Sequence, residues 1–342
     1  MEATVSDSAS TLPHQLILFG SPGTGKSHKV DQMTDAIEPA PHTVKTIFHP
    51  EYTYGDFMGR LMPLTQPDGR VSYRYYAGHF MQALAQALSC YHQAAQAESP
   101  DAAQPVVLVI DEINRGNSAA IFGTVFQLLD RKADGWSSYH VDLSEMEHDA
   151  LLQAMGVHRC ARTGMYETDQ DERQTLAKLF EGDLSFLAQR RIKLPPNLHL
   201  VGTMNTSDES IYYMDSAFKR RWSWEYVPID EDASSAPPAD MDKPEWREFV
   251  KQLNAFLISH AKSIRKVEDK LIGYYFIGAN KPLVAGREIQ NKLMFFLWDT
   301  VFTRDKGPLE DLLGHGAKLV TFGDFSEKSV LFVEKIQAWS GA

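Results

Sequence analysis

Cysteine is scarce in this chain, whose 342 residues contain only Cys90 and Cys160. Two thiols cannot build a disulfide framework, and they suit a reducing compartment. Paired with His92 and His158 they still lack a second pair at metal-ligand spacing, so no zinc site is expected. Long apolar runs are missing as well. None reaches the ~18 residues of a membrane helix. The opening MEATVSDSAS has neither the basic start nor the apolar stretch of a signal peptide. Positive charge is outnumbered, with 34 Lys and Arg against 45 Asp and Glu and a formal net charge of −11. That balance argues against general coating of nucleic acid, although a local basic patch could still bind it, and with no long apolar run no membrane partner is expected. The remainder, 43% hydrophobic and 23% charged residues, is ordinary globular usage and excludes a fibrous or wholly disordered chain. A soluble, cytoplasmic protein is the expectation.

Two short apolar runs stand out, Leu16 to Phe19 and Val106 to Ile110. Both are continuous rather than alternating, as in parallel strands buried on both faces. Val44 to Phe48, Leu198 to Val201 and Trp222 to Val227 read as three more strands. Helical spacing falls between them, over Phe80 to His92, Ala119 to Asp130 and Leu176 to Ala188. Strands alternating with helices predict an α/β fold built on a mainly parallel, five-stranded sheet. The expected plan is a polar tail over 1–11 and an α/β core over 12–230 that carries insertions at 52–80 and 133–196. An acidic, proline-rich linker over 231–245 and a smaller helical domain over 246–342 follow. Ala94 to Gln104 reads as a surface loop. No internal repeat is present.

The decisive motif is Gly20-Ser21-Pro22-Gly23-Thr24-Gly25-Lys26-Ser27, a GxxxxGK[ST] pattern that follows one strand and opens a helix. Glycines let backbone N–H groups turn inward around phosphate oxygens, and the helix start adds partial positive charge there. Lys26 is placed to reach the β- and γ-phosphates, with the Ser27 hydroxyl a ligand of Mg²⁺. The second motif is Asp111-Glu112 at the end of a buried strand. In an open α/β sheet such a carboxylate sits beside the phosphate loop. Asp111 then holds Mg²⁺ through water, and Glu112 is the candidate general base for the attacking water. This pairing favours hydrolysis of a nucleoside triphosphate over storage.

Three further segments narrow the reading: Glu112-Ile-Asn-Arg-Gly-Asn117, Val201-Gly-Thr-Met-Asn-Thr-Ser-Asp208 and Met214-Asp-Ser-Ala-Phe-Lys-Arg-Arg-Trp222. Together with the phosphate loop they resemble the McrB-type AAA+ motors of 5-methylcytosine-dependent restriction systems. The resemblance covers residues 12–305 and continues through Ile272-Gly-Tyr-Tyr-Phe-Ile277 and Leu297-Trp298 in the lid. The wider helix-2-insert group also holds the MoxR-like chaperones, which share the DEIN-R pattern.

The resemblance implies that the fourth strand lies between the phosphate-loop strand and the Asp-Glu strand. It makes Asn205 the sensor that positions water with Glu112, and Asp208 a member of the same network. Arg220 and Arg221 match the paired arginines that reach a neighbouring subunit's nucleotide, where a finger supplied in trans offsets transition-state charge. Lys219 and Trp222 stand where that family has a third arginine and a phenylalanine, which leaves the choice of finger open. Arg287 is a candidate second sensor in the lid.

Partners also follow from the resemblance: a homo-oligomeric, hexameric ring, a McrC-like or other nuclease subunit, and DNA reached mostly through partners. About a dozen residues precede the first strand, so target recognition is expected from another subunit or from the insertions. The nucleotide is ATP or GTP. Departures from McrB in the N-terminus and the insertion tilt this reading toward ATP. The alternatives are a MoxR-like ATPase that remodels protein complexes and a nucleotide-dependent assembly switch. In the 52–80 insertion, read as a hairpin, Arg70 and Arg74 interleave with Tyr73, Tyr75 and Tyr76. That pattern suits contact with a strand or peptide in a ring pore, or plain cross-strand packing.

Overall fold

The computed structural model describes residues 12–20, 24–159, 166–168, 180, 182–205, 212–228, 238–274, 276–277, 283–314 and 316–339. Two compact units divide the chain: residues 1–17 with 25–222, and residues 18–24 with 223–342.

Seven strands matter here: β1 (Gln15–Gly20), β2 (His42–Ile47), β3 (Gly59–Thr65), β4 (Val71–Ala77), β5 (Val106–Asp111), β6 (Leu198–Asn205) and β7 (Ser223–Tyr226). Five of them form one sheet in the order β7–β1–β6–β5–β2. β5 runs parallel to both neighbours, with Val106 opposite Leu198 on one side and His42 on the other. The sheet therefore places the fourth strand between the phosphate-loop strand and the Asp-Glu strand, as the resemblance implied. β1 is buried throughout, as is β5 up to Asp111, which is why both read as continuous apolar runs. The edge strand β2 is mostly exposed and correspondingly polar.

Helix α1 (Lys26–Asp35) packs on β5 and β6. Helix α2 (His79–Gln96) packs on β2 and β5, and Phe80, Leu84, Leu88 and Tyr91 are buried along it. α2 extends into the stretch expected to be a surface loop. The single helix expected over Ala119 to Asp130 is two pieces. An α-helical turn, α3 (Ser118–Phe122), is capped by the Asn117 side chain, and a 3-10 stretch runs over Gly123–Leu129. Ile121, Phe122, Val125, Leu128 and Leu129 are buried, so the apolar spacing was helical, but the chain breaks at Gly123.

The 52–80 insertion contains the antiparallel hairpin β3–β4, with Leu61 opposite Tyr75 and Pro63 opposite Tyr73. The 133–196 insertion holds helix α4 (Glu145–Ala154), opened by a Ser144/Glu147 capping box. It also holds a small hairpin pairing Val157–Arg159 with Tyr166–Thr168. Of the helix expected over Leu176 to Ala188, residues 176–179 and 181 lie outside the described residues. Phe180 lies in a turn, and residues 182–188 belong to a 3-10 segment, Gly182–Gln189. Tyr91 of α2 donates to Asp183 at 2.7 Å and ties that segment down.

Arg131 fastens the base of this insertion. Its guanidinium donates to the carbonyls of Gly135 (2.8 Å), Leu194 (3.0 Å), Pro195 (3.1 Å) and Leu198 (2.8 Å). Burial pulls its pKa down to about 9.

In the second unit, Phe19 sits among Trp224, Tyr226, Phe295 and Phe322, with ring centroids 4.1 Å apart for Phe19 and Phe295. Helix α5 (Ser216–Arg220) closes the first unit, and α6 (Lys243–Ser259) is the longest of the second. α6 begins inside the stretch expected to be linker. Asp242 and Glu245 form a capping box there, with a proline in the first turn, and these outweigh the local acidity. π-helical turns occupy Ile289–Met294 and Leu297–Val301. Among the described residues, no helix is long and apolar enough to cross a membrane.

Candidate functional site

Two glycines shape the phosphate loop for backbone reasons. Gly20 has φ +157° and lies so near the Val227 carbonyl that a Cβ would meet its oxygen at 2.4 Å. Gly25 sits in the left-handed region at φ +78°, where any side chain is strained, and forms the N-terminal boundary of α1. It caps the helix without a side-chain acceptor, so the first-turn N–H groups have no side-chain cap there. Lys26 is the first residue of α1 and is buried, Ser27 beside it is exposed, and Thr24 is half-buried. Pro22, Gly23 and Asp208, all named from the sequence, lie outside the described residues.

The ends of β5 and β6 are joined by side chains. The Thr203 hydroxyl donates to Asp111 Oδ1 at 2.9 Å and accepts from the Glu112 N–H at 3.2 Å. Asn205 Nδ2 donates to Glu112 Oε1 at 2.6 Å. The buried Asn114 side chain donates in turn to the Asn205 carbonyl at 2.9 Å. Arg115 Nε lies 3.4 Å from Glu112 Oε2. Glu112 itself has φ +54°, an uncommon conformation for a residue with a side chain. Asp111, Glu112 and Asn205 are thus brought into one polar network, and α1, which Lys26 opens, lies against the two strands that carry it.

Thr203 is the member that sequence reasoning passed over. A lone hydroxyl in the otherwise apolar run from Leu200 to Met204 was the available signal, since a buried polar group needs partners.

The two arginines after β6 have different surroundings. Arg220 is exposed. Arg221 is turned inward, with its side chain 10% exposed. It donates to Asp130 Oδ2 at 2.7 Å and to the Ala217 carbonyl at 2.9 Å, and lies 4.1 Å over the Phe126 ring. Arg287 is an exposed residue of the second unit, in the turn Gly286–Glu288.

On the hairpin, Tyr73 and Tyr76 are exposed while Tyr75 is half-buried. Asp56 pairs with Arg60 at 3.0 Å and Asp68 with Arg70 at 3.6 Å, so carboxylates answer two of the hairpin's three arginines. Arg74 lies over the Tyr76 ring. Among the described residues, no group of three or more His, Cys, Asp or Glu side chains is placed to hold a metal.

Residues 15–222 match the family model of the AAA domain, dynein-related subfamily. The chain is 28% identical over 345 residues to the Type II restriction enzyme BsuMI component YdiS of Bacillus subtilis (strain 168), covering 93% of this chain and 86% of that one. It is 27% identical over 245 residues to the Type IV methyl-directed restriction enzyme EcoKMcrB subunit of Escherichia coli (strain K12). That second alignment covers 70% of this chain and 39% of the relative, so this chain spans well under half of the relative's length. The family match runs from the first residue of β1 to Trp222, taking in the phosphate loop, Asp111, Glu112, Asn205 and both arginines. This chain belongs to the AAA domain family, dynein-related subfamily.

Proposed function

We infer that the protein is a Mg²⁺-dependent nucleoside triphosphatase acting as the ring motor of an McrB-like restriction or defence system. In this reading it couples hydrolysis of ATP or GTP to DNA translocation or to activation of a nuclease partner. Family membership implies nucleotide hydrolysis. The restriction role is supported by the two relatives, both named as restriction-enzyme components.

The observation that carries the catalytic part is the bond from Asn205 to Glu112 Oε1. It fixes a carboxylate at the carboxyl end of the sheet, on strands against which the phosphate-loop helix packs. Lys26 and the N–H groups opening α1 would bind the phosphates. Ser27 and Asp111 offer oxygen donors only, the chemistry Mg²⁺ prefers, with water and phosphate completing its shell. Asp111 is already oriented by Thr203. The bound cation would neutralise charge on the β- and γ-phosphates. Glu112 would accept a proton from the attacking water while Asn205 keeps the carboxylate aimed. Arg220, exposed at the end of α5, and Arg221, held by Asp130 within its own chain, are the two candidates to reach a neighbouring protomer's nucleotide.

Steady-state hydrolysis of ATP and GTP, with and without double-stranded DNA, tests this reading. The expected result is turnover by the wild type that Lys26→Ala abolishes through loss of binding. Glu112→Gln should abolish it with binding intact. Turnover that survives Glu112→Gln would overturn the mechanism, and turnover indifferent to DNA and to a co-encoded nuclease would overturn the motor role.

A further inference from the structure

The second unit carries a basic loop in an otherwise acidic protein. From Val250 to Val267 the chain has no Asp or Glu, although the whole protein has 45 of them and a formal net charge of −11. The first part of that stretch completes α6, where Lys251 meets Glu248 at 3.6 Å. Beyond the helix end, Lys262, Arg265 and Lys266 are all exposed. None of the three has a carboxylate partner among the described residues. Elsewhere exposed cations do meet carboxylates, Lys45 with Asp31 at 2.6 Å and Arg191 with Asp142 at 2.9 Å.

The loop is pinned from within. Ser263 N–H donates to the His260 carbonyl at 2.9 Å, and His260 Nδ1 lies 2.9 Å from the Phe256 carbonyl. Ile264 is 3% exposed and turns inward, which leaves Ser263 and Arg265 on either side facing out. Lys266 takes the left-handed conformation at φ +54°, which persists only where the surroundings fix it. No large apolar side chain is exposed between Ser259 and Lys266. What the loop presents is three cations and the Ser263 hydroxyl. Cations near a helix C-terminus also offset its dipole, but that effect fades past the last turn, and Arg265 and Lys266 lie beyond it.

We propose that Lys262, Arg265 and Lys266 form a contact site for the phosphate backbone of nucleic acid, on the second unit and separate from the phosphate loop. The site goes beyond the hydrolytic reading, since it needs no turnover. Lys, Arg and Ser side chains are the groups that commonly hold backbone phosphates, and they position a strand without reading its sequence. Duplex DNA carries one charge per ~1.7 Å of its axis, dense enough for three cations on one short loop to be engaged together. A protein partner would bury apolar and aromatic side chains at the centre of its contact, and this loop exposes none. Because the rest of the chain is acidic, the attraction is confined to the loop and is sensitive to salt.

The test is fluorescence anisotropy of a labelled mixed-sequence duplex, and of its single strand, titrated with the full chain with and without saturating MgATP. With three phosphates neutralised, duplex affinity should fall about 40-fold between about 50 and about 200 mM salt. Each single change to Gln should lower the salt slope by about one. The variant with Lys262→Gln, Arg265→Gln and Lys266→Gln together should bind at least about tenfold more weakly at low salt and melt like the wild type. Its charge-keeping counterpart, with Lys262→Arg, Arg265→Lys and Lys266→Arg, should bind like the wild type, as should Lys335→Gln, an exposed cation elsewhere in the second unit. Lys26→Ala should bind the duplex normally without nucleotide, so loss of the hydrolytic reading and loss of this site are told apart. A wild type that binds neither strand form, or a triple Gln variant that binds as well as the wild type, overturns the proposal. So does a charge-keeping variant no better than the Gln variant, or a Gln variant that melts well below the wild type, since both point to a structural role. Capture of a polyglutamate peptide in preference to DNA overturns it in favour of an acidic protein partner.

Discussion

Replacing Thr203 by valine keeps shape and volume and removes one hydroxyl, so it isolates what that hydroxyl does. Thr203 is buried, 3% exposed, and its oxygen serves Asp111 as donor and Glu112 as acceptor. A hydrogen bond to a charged group contributes about 1.5–3 kcal/mol, and a stranded N–H costs about 1–3 kcal/mol more where water is excluded. Here both bonds are only part-buried, so the low end applies and the expected loss of stability is about 2 kcal/mol. That is a sizeable share of the roughly 5–15 kcal/mol typical of a folded domain.

The functional loss should be larger in kcat than in KM. Asp111 and Glu112 lose a shared orienting partner while the phosphate loop is untouched, and misplacement of reacting groups by under an ångström costs roughly 10- to 100-fold. Tryptophan fluorescence during urea unfolding and steady-state kinetics read the two effects separately. Thr203→Ser, which retains the hydroxyl, should recover most of both. Wild-type kcat and stability in Thr203→Val, or equal damage from Thr203→Ser, would refute the reasoning.

Arg221→Ala should destabilise the chain by about 2–3 kcal/mol, because it strands Asp130 in a mostly buried pair. A double-mutant cycle with Asp130→Ala should return a coupling of about 1–3 kcal/mol, and a coupling near zero would mean that the pair does not fasten α5. Arg131→Met keeps an apolar stem but leaves four carbonyls without their donor, for an expected loss of about 3 kcal/mol or more in thermal or urea unfolding. Stability should also fall in mild acid. Burial first, then Arg131 and His199, hold the His14 pKa down to about 4 from its usual 6.5. The unfolded chain therefore binds the proton more readily, and stability present above pH 6.5 is lost as pH falls toward 4, by at most about 2–3 kcal/mol for a partly exposed ring. His199 is shifted the same way by burial and adds to the slope. His14→Gln should flatten melting temperature against pH across that window, and an unchanged slope would clear His14 of responsibility.

Local sequence was sufficient wherever the chemistry is local. The loop from Gly20 to Ser27 is legible because its glycines, lysine and serine must be contiguous to surround a phosphate. β1 and β5 are legible because strands buried on both faces permit little besides apolar residues. The helix expected over Ala119 to Asp130 misled for a related reason, since apolar spacing records which side faces the core and not whether the backbone hydrogen bonds stay regular through Gly123.

Partners remote in sequence escaped such local reading, and Asn205 was matched to Glu112 only through the family resemblance. Thr203 stands 92 residues from Asp111, Asn205 93 from Glu112 and Arg221 91 from Asp130. Nothing in the spelling of either segment names its partner. Sequence by itself determined that a triphosphate-binding loop and a carboxylate pair exist on an α/β scaffold. Only the folded sheet, by inserting β6 between β1 and β5, decided that Thr203 and Asn205 would reach those carboxylates and that Arg221 would turn inward. The physical reason is that hydrogen bonds and ion pairs act over about 3–4 Å, and strand order, which no local pattern encodes, brings residues so far apart in the chain within that reach.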